Sequence, residues 1–112
     1  MWIFIWCIKN NSKINHLHFL SNNIGSEGVS RIVDALRYNN TLLSIIFYAN
    51  RIDDKGIAEK ANSLKWNDEI NYINFGENYI TDKGLSEIIN MLKENHSITK
   101  ISLDRISLLS KK

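Results

Sequence analysis

Three stretches of this chain carry the same apolar and asparagine positions at a spacing of 28 residues. They run Ile14-x-x-Leu17-x-Phe19-x-x-Asn22-x-Ile24, Leu42-x-x-Ile45-x-Phe47-x-x-Asn50-x-Ile52 and Ile70-x-x-Ile73-x-Phe75-x-x-Asn78-x-Ile80. A fourth opens as Ile98-x-x-Ile101-x-Leu103 and then loses the pattern, with Ile106 where an asparagine is due. Self-similarity at such a period means one supersecondary unit laid down several times, each burying its apolar face against its neighbours. Stacked units of this kind build an extended surface rather than a catalytic pocket, so the period also bounds the functional class.

Within each unit the alternation of Leu17 with Phe19, Ile45 with Phe47, Ile73 with Phe75 and Ile101 with Leu103 predicts a short strand with these residues on one side. Units of equal length returning to the same point make the strands parallel. Asn22, Asn50 and Asn78 follow where the chain leaves the strand. A column of amides there is expected to hydrogen-bond backbone groups of the adjacent turn that would otherwise be buried and unpaired.

The turns Ile24-Gly-Ser-Glu-Gly28, Ile52-Asp-Asp-Lys-Gly56 and Ile80-Thr-Asp-Lys-Gly84 offer polar residues for helix N-caps and glycine for close approach of the neighbouring unit. Helical spacing follows: Val29, Ile32, Val33 and Leu36, then Ile57, Lys60, Ala61 and Leu64, then Leu85, Ile88, Ile89 and Leu92. Lys60 stands in an apolar column, so its ammonium is expected to snorkel to water and its helix to be the weakest. The helices end near Asn39, Asn67 and Asn95.

Together, the strand-plus-asparagine segment, the I-x-x-x-G turn and the helix leading to N-x-[ST]-L or its variants resemble a leucine-rich repeat. A 28-residue period with a full α-helix is similar to the ribonuclease-inhibitor-like subclass. The resemblance covers residues 14–103, with isoleucine and phenylalanine in place of many leucines. It implies an α/β fold, a right-handed leucine-rich-repeat solenoid with a concave parallel sheet and convex helices. The chain then reads as one domain over 1–112: a partial leading helix at 1–13, repeats at 14–41, 42–69 and 70–97, and a partial repeat at 98–112.

The ends depart from this pattern. In register, Phe4, Ile5 and Ile8 fall on the buried face of a preceding helix, which leaves Trp2, Ile3 and Trp6 outward. A strand over the same residues is the alternative, given their β-branched and aromatic character. Repeat arrays normally close with polar caps, so the open ends point to a fragment of a longer array or to self-association.

Composition excludes more than it proposes. A net charge of +2, with basic residues scattered along the chain, lacks the basic stripe that nucleic acid or an anionic membrane requires. The longest apolar run, Met1–Ile8, is far short of the roughly 20 residues of a membrane span, and it lacks the marks of a secretory signal. A single cysteine, Cys7, cannot form an intramolecular disulfide. It corresponds to Ala35, Ser63 and Met91, so a buried thiol is expected. A cytoplasmic location follows as the expectation.

No phosphate-binding glycine loop or nucleophile elbow occurs. His16 and His18 are two imidazoles on one strand where a zinc site needs three or four ligands, so neither metal nor cofactor is expected. The sequons at Asn10, Asn39 and Asn95 lie at or beside the helix-to-strand asparagines, and no glycosylation is expected.

Subtracting buried positions leaves three columns on the strand face: His16, Ser44, Tyr72, Lys100; His18, Ile46, Asn74, Ser102; and Leu20, Tyr48, Gly76, Asp104. From these, His16, His18, Leu20, Ser44, Ile46, Tyr48, Tyr72, Asn74 and Lys100 form the candidate protein-binding set. Tyr48 and Tyr72 with Ile46 and Leu20 make a partly apolar centre within polar neighbours, as interfaces do. Three coils are small against the ~800 Å² per partner of a standard interface. Trp66 and Tyr38 share a column on another edge, where packing against neighbouring loops is expected. The expected function is a non-enzymatic module binding a protein of unidentified kind. The alternative, implied by resemblance to the Ran GTPase-activating protein, is a GTPase-regulating module.

Overall fold

The structure is a computed structural model of the 112-residue chain, and it describes residues 13–19, 24–36 and 39–104. Strand and helix alternate as β1 (His16–His18), α1 (Gly25–Ala35), β2 (Ser44–Ile46), α2 (Asp54–Leu64), β3 (Tyr72–Asn74), α3 (Asp82–Glu94) and β4 (Lys100–Ser102). The strands form one four-stranded sheet in sequence order, parallel throughout. The register is the sequence period itself: His16 pairs with Ser44, Ser44 with Tyr72 and Tyr72 with Lys100. α1 packs on α2 and α2 on α3.

The core lies between sheet and helices. Ile45, Phe47, Ile73 and Phe75 from the strand segments meet Val29, Ile32, Val33, Ile57, Ala61, Leu64, Ile88 and Met91 from the helices. Phe19, Phe47 and Phe75 stack in a column, with ring centroids 5.9 and 5.7 Å apart and planes within 12° and 11°. Parallel strands at a fixed register bring like rings together, and offset stacking adds to the area that each ring buries.

Asn50 and Asn78 form the expected amide column. Asn78 Oδ1 accepts the backbone N–H of Asn50 and of Ile52, both at 2.9 Å. Its Nδ2 donates to the carbonyls of Phe47, Phe75 and Gly76 at 2.9, 2.9 and 3.0 Å. One buried amide thus closes the turn of its own unit and of the unit before it. Asn50 repeats this one step earlier, accepting from Ile24 N–H at 3.3 Å and donating to the carbonyls of Phe19 and of Tyr48. Asn22 and Ile106 lie outside the described residues.

A second column lies at the helix-to-strand ends. Asn39, Asn67 and Asn95 each accept, through Oδ1, the amides two and three residues onward: Thr41 and Leu42, Glu69 and Ile70, Ser97 and Ile98, all at 2.7–2.9 Å. Asn95 Nδ2 donates back to the carbonyls of Leu64 and Asn67, each at 2.9 Å. Thr41 Oγ1 donates to the Ile14 carbonyl at 2.9 Å, and Ser97 Oγ to the Ile70 carbonyl at 2.7 Å. The N-x-[ST] triplets at Asn39 and Asn95 are therefore hinge pieces, with both polar side chains turned inward onto backbone.

The helix starts differ from the sequence expectation. Among the described helices only α2 is capped by a side chain, that of Asp53, which accepts from Gly56 N–H at 3.0 Å. That bond, with the one from Ser26 Oγ at 2.8 Å, holds the Asp53 carboxyl below its ordinary value. The residue preceding α1 is Ile24, which has no side-chain acceptor, and Thr81 before α3 turns its hydroxyl to the Asp54 carboxylate instead. Gly56 and Gly84 explain the glycine of the turn. A Cβ on Gly56 would strike the Ser26 side chain, and one on Gly84 the Asp54 carboxylate and Ile80. Each helix thus enters against the residue that opens the helix before it.

Ser26 and Val33, Asp54 and Ala61, and Asp82 and Ile89 are seven residues apart, so each pair shares a helix face. Val33 and Ala61 are buried where a following helix packs beside them, whereas Ile89 on α3 is 46% exposed. The expected buried position at Ile89 is corrected accordingly: α3 is the last helix among the described residues, and Met91 is buried in its stead. The Lys60 side chain and residues 1–12, which include Cys7 and the outward tryptophan positions, lie outside what is described.

Candidate protein-binding face

The side chains that alternate with the core residues of each strand leave the sheet on the side away from the helices. In the first column, His16 is exposed, and its Nδ1 shares a hydrogen bond of 2.6 Å with Ser44 Oγ. Ser44 is only 8% exposed, so it holds the histidine in place more than it offers contact area. Tyr72, next along, is half-buried; its hydroxyl shares a 3.1 Å hydrogen bond with Ser102 Oγ, and Lys100 Nζ stands 5.1 Å from its ring centroid. The second column runs from exposed His18 through half-buried Ile46 and Asn74 to Ser102.

Asn74 is tied down, its Oδ1 accepting from Gly76 N–H at 2.8 Å. In the third column, the Tyr48 ring lies against Gly76: a Cβ there would come within 2.9 Å of Cδ1. The missing side chain is what lets the ring settle onto the sheet edge, half-buried. Leu20 lies outside the described residues, so this column is described from Tyr48 to Asp104. The register brings together seven of the other residues of the candidate set, and Tyr48, just beyond β2, lies on the unit before that of Tyr72.

Besides Ile89 on α3, two exposed large apolar groups among the described residues lie off this face. Trp66 is 71% exposed, with Lys65 Nζ 5.9 Å from its ring, so the expected packing against loops is corrected. It stands at the edge of a groove of about 600 Å³ whose walls include Val33, Leu36, Leu64 and Asn67. Tyr79 is 51% exposed on the turn after β3, where its N–H bonds the Ile52 carbonyl at 2.7 Å. Strand alternation does not reach the turn, and only the position after Asn78 could have flagged it. Among the described residues no cluster of three or more histidine, cysteine or acidic side chains could hold a metal, and no helix is long and apolar enough to cross a membrane.

A family model described as Leucine Rich repeat matches residues 10–33. Among solved structures, the Actin-Binding Site 2 of Leiomodin-1 superposes with a TM-score of 0.85 at 25% identity, covering 91% of this chain and 60% of that one. The tropomodulin C-terminal domain of Caenorhabditis elegans gives a TM-score of 0.77 at 13% identity, covering 91% and 62%. The chain therefore spans about three-fifths of the length of each. No curated protein gives a significant match to the chain. With four parallel strands at one register, intervening helices and an inward asparagine on each strand-to-helix turn described in full, the chain has a leucine-rich-repeat architecture, in keeping with the family model and the solved structures it resembles.

Proposed function

We propose that this chain is a non-enzymatic module of the ribonuclease-inhibitor-like type, working in the cytoplasm, that binds a protein through the strand face. The observation that carries this reading is the make-up of that face: Tyr72 in the first column and Tyr48 in the third, both half-buried, with half-buried Ile46 in the column between them and His16, His18, Asn74 and Lys100 on the same face. Aromatic groups already fixed by packing lose little freedom on binding, so they make effective anchors. Actin is the first protein to test, because the matched structure of Leiomodin-1 is its Actin-Binding Site 2.

Co-sedimentation of the whole chain with filamentous actin, and gel filtration with monomeric actin, provide the assay. The expected result is a complex that Tyr48→Ala and Tyr72→Ala each weaken by about tenfold or more, as central aromatic anchors do. A chain that stays unbound in both assays removes actin as the partner. A complex insensitive to both tyrosines removes the strand face as its site. The alternative of a GTPase-regulating module is separated by measuring GTP hydrolysis on Ran with and without the chain, where binding alone leaves turnover unchanged.

A further inference from the structure

On the strand face just described, no strand residue is a carboxylic acid, while Lys100, His16 and His18 are all strand residues. Asp104, at the rim beyond β4, is the one carboxylate in the three columns. Helices α1, α2 and α3 by contrast all carry acids, among them Glu27, Asp54, Asp82 and Glu87. Acidic side chains thus fall on the helices and on the connections at the strand ends, Asp68, Glu69 and Glu77 among them, and not on the strands themselves.

The β3–β4 end of the face has a defined constellation. Lys100 Nζ lies 5.1 Å from the Tyr72 ring centroid, a cation–π contact that holds the ammonium over the sheet. Among the described residues no carboxylate pairs with it. Tyr72 Oη and Ser102 Oγ stand 3.1 Å apart, so one hydroxyl proton satisfies the other oxygen and the second remains available outward. An ammonium beside a hydroxyl donor, on a half-buried ring, is the donor set that a carboxylate takes in charge-assisted hydrogen bonds.

We propose that Lys100, Tyr72 and Ser102 form a carboxylate anchor, and that the strand face takes an Asp/Glu-rich segment of the partner protein. The inference rests on the reading of this face as the binding surface. Lys100 supplies the charge, the two hydroxyls set direction, and His16 and His18 extend a surface without acids toward β1. Tyr48 and Ile46 then receive apolar side chains between the acidic ones. Asp104 repels such a segment at the rim and limits where it can lie.

The test is titration of the isotopically labelled whole chain with a synthetic peptide of alternating glutamate and glycine, and with its glutamine counterpart, followed by two-dimensional amide NMR. The expected result is that the glutamate peptide moves the amides of Tyr72, Lys100 and Ser102, and that the glutamine peptide binds about tenfold more weakly or not at all. Lys100→Ala, an exposed position, is expected to weaken the glutamate peptide about fivefold with the rest of the spectrum retained, and Asp104→Asn to strengthen it. Tyr72→Phe keeps the ring and removes the hydroxyl, and is expected to weaken it by a smaller factor. Equal binding of the two peptides, shifts confined to the helices, or a Lys100→Ala chain with unchanged affinity each overturns the proposal.

Failure here is distinguishable from failure of the parent reading. An actin complex broken by Tyr48→Ala but indifferent to Lys100→Ala leaves the strand face as the site and removes only the acidic segment. A complex indifferent to every strand-face variant removes both.

Discussion

Replacing Asn78 with alanine deletes the side chain that serves two turns at once. Its Oδ1 is the acceptor for Asn50 N–H and Ile52 N–H, both on fully buried residues, and its Nδ2 meets the carbonyls of Phe47, Phe75 and Gly76. Leaving a buried donor unmet costs about 1–3 kcal/mol. Two such donors amount to roughly 2–6 kcal/mol. The three carbonyls add less, since an under-satisfied oxygen is the milder defect. A water entering the vacated space could recover part, because the site is polar.

The expected loss is therefore about 3–5 kcal/mol, against a total of roughly 6–15 kcal/mol for a domain of this length. Urea denaturation followed by far-UV circular dichroism, with linear extrapolation, measures it. Asn67→Ala is the control. Asn67 is half-buried and accepts from Glu69 N–H, on an exposed residue, and from Ile70 N–H, so about 1–2 kcal/mol is expected. A loss below about 1 kcal/mol at Asn78, or one equal to that at Asn67, would refute the argument that buried turn donors make this column indispensable.

Three further outcomes follow from the contacts between units. Gly56→Ala drives a methyl into the Ser26 side chain and is expected to lower stability by about 1–3 kcal/mol; combining it with Ser26→Gly should restore part of that in the same denaturation assay. Glu69 occupies the hinge position where Thr41 and Ser97 donate to a strand-start carbonyl one unit back, so Glu69→Thr is expected to gain a bond to the Leu42 carbonyl and about 0.5–1.5 kcal/mol. Unchanged stability there would mean that the hydroxyls at Thr41 and Ser97 contribute little. The lowered Asp53 carboxyl binds its proton less readily folded than unfolded, so its stabilisation is complete above its ordinary value of 3.8 and fades as pH falls through the lower folded value. Asp53→Asn should therefore lower stability in the neutral region, where the carboxylate's contribution is complete, and flatten the curve below about pH 4, where the two chains converge; thermal melts across that range can check this.

The 28-residue period of apolar residues and asparagines was sufficient to read strand order, parallel pairing, register and the three side-chain columns, because a side chain two residues along a strand must return to the same face. The asparagine column was legible for the same reason: a polar residue repeated at a buried position needs buried partners, and backbone amides are what a turn supplies. Tertiary structure decided the rest. Ile89 repeats Val33 in sequence yet is exposed, since burial depends on whether another helix lies beside it, and periodicity carries no account of neighbours. Asp53 and Thr81 hold the place of Gly25 in the repeat, but only Asp53 caps its helix: α1 starts one position earlier in the register, after Ile24, and the Thr81 hydroxyl is drawn to a carboxylate one unit back. On the strand face, the period already placed Tyr72 beside Lys100 in one column and Ser102 in the next. What the period could not supply is the side-chain geometry: the Lys100 ammonium turned over the Tyr72 ring and the Tyr72 hydroxyl reaching across to Ser102 in the next column, which depend on rotamers and packing rather than on register.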